Sequence, residues 1–279
     1  MLNGLISVIV TTYNREDALD AVLRSLAGQS DRDFEVIVAD DGSGPATADL
    51  LKRWVGKVRL AHVWQEDRGF RLAEIRNRAI LAARGSYCIF LDGDCLTRPD
   101  FVAVHRRLAE QGCFVTGNRI LLSAELTARV LRDKLAPERW GFGRWLGQRL
   151  RGGINRLAAL VHLPLGPLRR LHSHQWRGAR ACNLAVWRAD LDQVDGFDAD
   201  YAGWGREDSD IIVRLLRAGV RRKDGVFATG VMHLWHAEAG RERLDENERR
   251  LSDSLASDRV RARRGLSALR SAASPVLAG

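Results

Sequence analysis

Cysteine is scarce in this 279-residue chain, and lysine is scarcer than its charge suggests. Cys88, Cys95, Cys113 and Cys182 form no C-x-x-C pair, so the spacing implies neither a zinc ribbon nor a disulfide framework, and the thiols read as reduced. Lysine occurs only at 52, 57, 134 and 223; arginine supplies the rest of a net charge of +9. That balance suits anionic partners, whether nucleotides, acidic lipid or nucleic acid. Neither a P-loop nor a G-x-G-x-x-G dinucleotide loop is present. No apolar run approaches the ~20 residues that span a bilayer. Leu5–Val10 is too short for a signal-peptide core and lacks a basic flank, so the expected location is cytoplasmic. Acidic residues are missing altogether from Arg139 to Ala189, a stretch with ten arginines.

Apolar content is 46%, enough for a globular α/β core. Leu5–Val10, Phe34–Ala39, Val58–Val63 and Tyr87–Leu91 read as strands. Asp17–Ala27, Thr47–Val55 and Leu72–Ala83 read as helices between them. Short alternation of this kind predicts a mostly parallel sheet with right-handed crossovers, whose ligands bind beyond the carboxyl ends of the strands. The loops that start at Thr11, Asp40 and Asp92 all fall at that edge. In Ile89-Phe90-Leu91-Asp92-Gly93-Asp94 a buried strand runs into two carboxylates one residue apart, which is costly unless a cation sits between them. A hard divalent ion, Mn²⁺ or Mg²⁺, takes such oxygens and brings diphosphate oxygens with it. A second acidic knot follows far downstream, in Gly203-Trp204-Gly205-Arg206-Glu207-Asp208-Ser209-Asp210.

Val8-Ile9-Val10-Thr11-Thr12-Tyr13-Asn14, Ala39-Asp40-Asp41-Gly42-Ser43, Arg76-Asn77-Arg78-Ala79 and Leu91-Asp92-Gly93-Asp94, in that order, resemble the family 2 glycosyltransferases. Gly196-Phe197-Asp198, the Gly-Trp-Gly-x-Glu-Asp run and Arg214-Leu215 look like the C-terminal signature of galactosyltransferases and chondroitin-type polymerases. The resemblance covers roughly 5–120 and 178–236. It implies a GT-A fold over 1–236, with a nucleotide-sugar half (5–120), a basic helical insertion (125–177) and an acceptor half (178–236), followed by a helical tail (237–279).

The resemblance also assigns roles. Asp40 accepts a hydrogen bond from the base, against a bland reading in which it caps Ser43 or a nearby amide. Thr11, Tyr13 and Asn14 contact the nucleoside. Arg76, and more weakly Arg71, hold the diphosphate, against a bland reading of Arg76 as a surface cation paired with Glu74 or Asp67. Asp94 binds the ion directly, and Asp92 touches the ribose or acts through water. The third ligand is His233 or His236, with His233 preferred. Asp208, desolvated beside Trp204 and raised in pKa, is the base; Glu207 binds acceptor hydroxyls and Asp210 holds Arg214 at i,i+4. Against this stands a helix start enriched in acids for its dipole. Trp204 offers a platform for a sugar ring, and Asn183 touches donor or acceptor.

The implied reaction moves a sugar from UDP to a hydroxyl of a glycan or lipid-linked saccharide, with inversion. A sugar nucleotidyltransferase would need a Gly-rich loop after the first strand, and Thr11–Arg15 contains no glycine. Nucleic-acid binding rests on charge alone, and no nucleic-acid partner is expected. In the insertion, Trp140, Trp145 and leucines interleave with Arg144, Arg149 and Arg151. This pattern predicts basic amphipathic helices and peripheral attachment to anionic membrane. The tail from Arg241 to Arg270 reads as a surface helix that frays.

Overall fold

The computed structural model describes residues 2–237 and 240–273. The chain begins as a repeated strand–helix alternation: β1 (Ile6–Thr12), α1 (Glu16–Ala27), β2 (Phe34–Asp40), α2 (Pro45–Lys52), β3 (Leu60–Trp64), α3 (Leu72–Ala82) and β4 (Tyr87–Asp92). It continues through β5 (Cys95–Thr97), α4 (Phe101–Leu108), β6 (Cys113–Thr116), β7 (Arg119–Leu121), α5 (Ala124–Arg132) and α6 (Phe142–Leu150). The last part holds β8 (Asn183–Trp187), α7 (Arg188–Gln193), α8 (Glu207–Arg217), β9 (Arg221–Asp224), β10 (Val231–His233), α9 (Leu244–Ala256) and α10 (Leu266–Ala273). Seven strands make one sheet in the order β3-β2-β1-β4-β8-β6-β9, parallel except where β8 runs against β4 and β6.

Strand alternation builds the core. Ile6, Val8, Val10, Ile89 and Leu91 join the cluster under α1, α2 and α4, while Ile9, Cys88 and Phe90 join the cluster under α3 and α8. The four strands anticipated in the first half are found within one or two residues. β3 is the exposed edge strand. The second helix starts earlier than expected because Pro45 occupies its first turn, where the missing N–H costs nothing.

A second, three-stranded sheet, β5-β10-β7, stands at the carboxyl edge of the first. Its strands have only three residues each, too few for sequence periodicity to reveal.

Two expectations are corrected. The segment 125–177 holds most of α5, the nine-residue α6 and three 3₁₀ turns, so α-helix makes up the smaller part of it. Its apolar residues are not all available to lipid: Trp145 is buried, with Ile154 and Leu160, in the main core, and Trp140 packs on Trp145 at 5.1 Å. Nor are its arginines all solvated, since Arg169 is buried and donates to the carbonyls of Asp224, Val226 and Leu163. The C-terminal segment does not fray within the described residues. Leu266 enters the core, Arg259 pairs with buried Asp198 and Asp210, and Ser267 donates through N and Oγ to Asp195. Gly265 lies so close to Asp195 that a Cβ would stand 1.9 Å from its carbonyl oxygen, so the tail needs glycine there.

Candidate active site

The site grows from the ends of β1, β2 and β4. Gly93 N donates to Thr11 O at 2.7 Å, and a Cβ on Gly93 would lie 2.5 Å from that oxygen. The glycine therefore lets the Asp92-Gly93-Asp94 turn fold flat against the end of β1. Thr11 Oγ1 donates to Asp92 Oδ1 at 3.2 Å. The loops after β1 and β2 lock together through Asn14, whose N donates to Ser43 Oγ (2.8 Å) and whose Oδ1 accepts from Gly44 N (2.9 Å). Tyr13 is half exposed, with its hydroxyl donating to Asp67 Oδ2 at 2.9 Å.

Asp40 ends β2 as anticipated, but it is buried and both oxygens are engaged. Oδ1 accepts from Ser43 N at 2.8 Å, and Oδ2 faces His62 Nε2 at 2.9 Å. Burial pushes its carboxyl up, yet the His62 and Ser43 hydrogen bonds outweigh that and hold it below the usual carboxylate range. The turn-capping role is thus visible directly. Asp41 accepts from Gln65 Nε2 and Arg71 N, and burial leaves its carboxyl raised.

Arg76 differs from both of its expected readings. It is neither a surface cation nor a free diphosphate clamp, but a buried guanidinium committed to carboxylates. Nη1 donates to Asp208 Oδ1 (3.0 Å) and Glu207 Oε1 (3.3 Å), and Nη2 to Asp92 Oδ1 (3.3 Å), with Phe197 against its plane at 5.2 Å. It draws the Asp92-Gly93-Asp94 turn and the start of α8 into one site. Arg71 is turned to Glu74 at 3.3 Å and to the Glu66 carbonyl. Asn183 opens β8 fully buried, with Nδ2 donating to the carbonyls of Asn118 and Thr229.

Burial first, and the Asp208 charge second, push the Glu207 carboxyl up to about 8 against the pull of Arg76. Asp208 keeps a quarter of its side chain exposed, and its Oδ2 accepts from Ala181 N at 3.0 Å. Two donors orient it toward the open side of the site.

On the other side of Asp92 stands a mixed donor set. β10 pairs with β5 so that His233 lies opposite Cys95, and Leu234 N donates to Asp94 O at 2.9 Å. His233 Nε2 comes within 3.5 Å of Asp94 Oδ1 and His236 Nε2 within 3.4 Å of Oδ2, so both histidines reach the carboxylate. Asp94, Cys95 and His233 hold their donor atoms within 4.8 Å of one another. Burial pushes His233 below the ordinary imidazole range, favouring the neutral ring that can ligate. An oxygen donor flanked by two imidazole nitrogens fits a divalent cation. An open groove of about 600 Å³, lined by Arg15, Thr127, Leu131, Trp235 and His236, runs from the β1 loop to this set.

The α9 contribution carried no sequence signal. Asn247 is buried and donates to the carbonyls of Ala202 and Trp204, bracing the loop before α8. Arg206, left-handed at φ +78, precedes Glu207 and ion-pairs with Glu248. A non-glycine residue in that region stores strain, and α9 sustains it here. Trp204 is partly exposed, under Arg241 at 5.0 Å.

The family model for glycosyl transferase family 2 matches residues 7–159, and that for the N-terminal domain of galactosyltransferase matches 169–237. Curated relatives include validoxylamine A glucosyltransferase of Streptomyces hygroscopicus subsp. limoneus, 32% identical over 87% of this chain and 53% of the relative. Chondroitin synthase of Escherichia coli is 27% identical over 82% and 34%. The chain thus spans about half, or less, of the length of these relatives. Among solved structures, S. aureus TarS in complex with UDP superposes with a TM-score of 0.60 at 18% identity, over 90% of this chain and 65% of that one. A mannosyltransferase from Pyrobaculum calidifontis, in complex with GDP-Man and Mn²⁺, gives 0.57 at 18% identity, over 97% and 76%. The likeness is one of fold: a mostly parallel seven-stranded GT-A sheet flanked by helices.

Proposed function

Since the chain belongs to glycosyl transferase family 2, we propose that it transfers a sugar, with inversion, from a UDP-sugar to a hydroxyl of a glycan or lipid-linked saccharide during cell-surface polysaccharide synthesis. The observation that carries this reading is the arginine bridge: Arg76 ties Asp92, beside the Asp94–His233–His236 donors, to Asp208 at the opening of α8. One carboxylate group suits a diphosphate's counter-ion and the other a base, in one site.

In this reaction Asp208, aimed by Arg76 and Ala181 N, takes the proton of the acceptor hydroxyl. The hydroxyl oxygen forms its bond to the anomeric carbon as the bond to the diphosphate oxygen breaks on the opposite face. UDP leaves, and one displacement inverts the centre. A divalent ion, Mn²⁺ or Mg²⁺, would be held by Asp94 with His233 or His236 and would supply charge neutralisation for the departing diphosphate. Glu207 binds acceptor hydroxyls, and Trp204 offers its partly exposed ring to a sugar. For Asp40, Thr11, Tyr13 and Asn14, the support for nucleoside contact is their place at the ends of β1 and β2. Screening nucleotide-sugars for metal-dependent turnover tests the reading. Asp94→Ala should abolish turnover and metal-dependent UDP binding while the circular-dichroism spectrum stays native; metal-dependent turnover at the wild-type rate would remove the assignment.

The chain also carries a surface for peripheral membrane attachment. Among the described residues no helix is long and apolar enough to cross a bilayer. With Trp145 and Trp140 turned inward, the exposed apolar face of α6 is Phe142, Leu146 and Leu150, at i, i+4 and i+8, beside exposed Arg144, Arg149 and Arg151. Each arginine near anionic lipid contributes about 1 kcal/mol. Co-sedimentation with anionic but not neutral vesicles, weakened by salt and by charge reversal of the three arginines, is expected; indifference to lipid charge rules it out.

A further inference from the structure

The donor set around Asp94 contains a group for which Mn²⁺ and Mg²⁺ have little use. Cys95 follows Asp94 and pairs across the small sheet with His233, so the two side chains share a face. Its Sγ lies 3.7 Å from Asp94 Oδ1, and His233 Nε2 lies 3.5 Å from the same oxygen. All three donors fit within 4.8 Å. Tetrahedral zinc, with bonds of about 2.0 Å to nitrogen or oxygen and 2.3 Å to sulfur, spaces its ligand atoms roughly 3.3–3.6 Å apart. Two of the three spacings are therefore close to a zinc site already; His236 Nε2 stands outside this group, 3.4 Å from the other carboxylate oxygen, Oδ2. Hard ions select oxygen, whereas a thiolate selects borderline and soft ones. Burial of Cys95 keeps water from competing for the sulfur.

We propose that Asp94, Cys95 and His233 form a thiolate-containing site that takes thiophilic divalent ions such as Zn²⁺, Co²⁺ and Cd²⁺. The inference rests on the reading of Asp94 and His233 as metal ligands. On binding, the Cys95 S–H bond breaks, the sulfur electron pair bonds to the ion, and the proton leaves to solvent; nothing is oxidised or reduced. Three protein donors leave one tetrahedral position open to an exogenous ligand.

The test titrates the metal-free full chain with Co²⁺ and follows the near-ultraviolet thiolate-to-cobalt charge-transfer band, with Mn²⁺ binding followed separately by electron paramagnetic resonance. The band is expected in the wild type and in Cys182→Ser, the neighbouring thiol. It should vanish in Cys95→Ser, with Co²⁺ affinity down by roughly tenfold or more while Mn²⁺ affinity is kept. Cadmium NMR of the unmutated protein, where a sulfur ligand moves the resonance downfield, gives the same answer without a variant. Mn²⁺ binding with no sulfur band and no downfield cadmium signal overturns this inference and leaves the proposed function standing. So does a band that survives Cys95→Ser. Failure to bind either ion overturns both.

Discussion

Two buried arginines, Arg76 and Arg214, meet carboxylates from the first turn of the same helix, and their surroundings are opposite. Arg214 has one carboxylate, Asp210 at 2.7 Å, and donates through Nη1 to the carbonyls of Val194 and Gly196. Asp210 in turn accepts from Arg259 and Ser254. Donors there outnumber acidic groups. Around Arg76 the balance reverses, with Asp92, Glu207 and Asp208 sharing one guanidinium. The first cluster is closed and holds the tail to α8. The second has surplus negative charge that a proton or an incoming cation must offset, and that surplus separates a site from a brace.

The largest effects come from exchanging the two fates. Asp208→Asn removes proton abstraction but little volume, so kcat should fall by roughly 10²–10⁴-fold while donor affinity and thermal stability stay near wild type. Arg214→Met should do the converse, costing about 3–5 kcal/mol of stability because it leaves Asp210 underpaired in the core, with per-molecule kcat in the folded fraction kept. A near-wild-type kcat for Asp208→Asn would move the base elsewhere. Parallel denaturant titrations and steady-state rates decide whether the clusters are as distinct as their charge balance says.

The Glu207 proton sharpens the contrast at a smaller scale. With its folded-state pKa raised to about 8, metal-free protein should be stabilised by this group fully below the usual glutamate pKa. That contribution declines as pH rises from there through about 8, because the folded state binds the extra proton over this window. Glu207→Gln should flatten that decline. Thermal melts of both proteins at stepped pH measure it; identical slopes would place the raised carboxyl elsewhere.

Much of the first half was legible because its physics is local. Apolar runs of fixed length gave β1, β2, β3 and β4, and the acidic punctuation at Asp40, Asp92 and Asp94 marked the edge where ligands bind. The Asp210–Arg214 pair was legible for the same reason, being four residues apart on one helix. What stayed hidden depends on contacts between distant segments. Nothing near Arg76 in sequence announces that Glu207 and Asp208 will occupy its guanidinium, nor near Asp40 that His62 will. Trp145 follows an amphipathic pattern, but which face of α6 is covered depends on Ile154 and Leu160 returning beneath it. The tail looked like a solvated helix because its arginines alternate with acids, yet Arg259 pairs with buried Asp198 and Asp210, 61 and 49 residues away.

The smallest predicted effect lies between the two clusters, at Asn247. Its amide donates to the carbonyls of Ala202 and Trp204, while the neighbouring Arg206–Glu248 pair holds the left-handed residue that launches Glu207 and Asp208. Asn247→Ala leaves two carbonyls short of a donor, at a cost of about 1–3 kcal/mol, and loosens the loop that sets where Asp208 stands. If α9 merely stabilises the fold, only the melting temperature should drop. If it positions the base, kcat should fall by about tenfold at a temperature where the variant is fully folded, with donor affinity unchanged and Asn247→Gln recovering part of the loss. Rates, donor binding and melts on the same preparations separate the two outcomes. A variant with lowered stability and unchanged kcat would assign α9 to the closed Arg214 cluster alone.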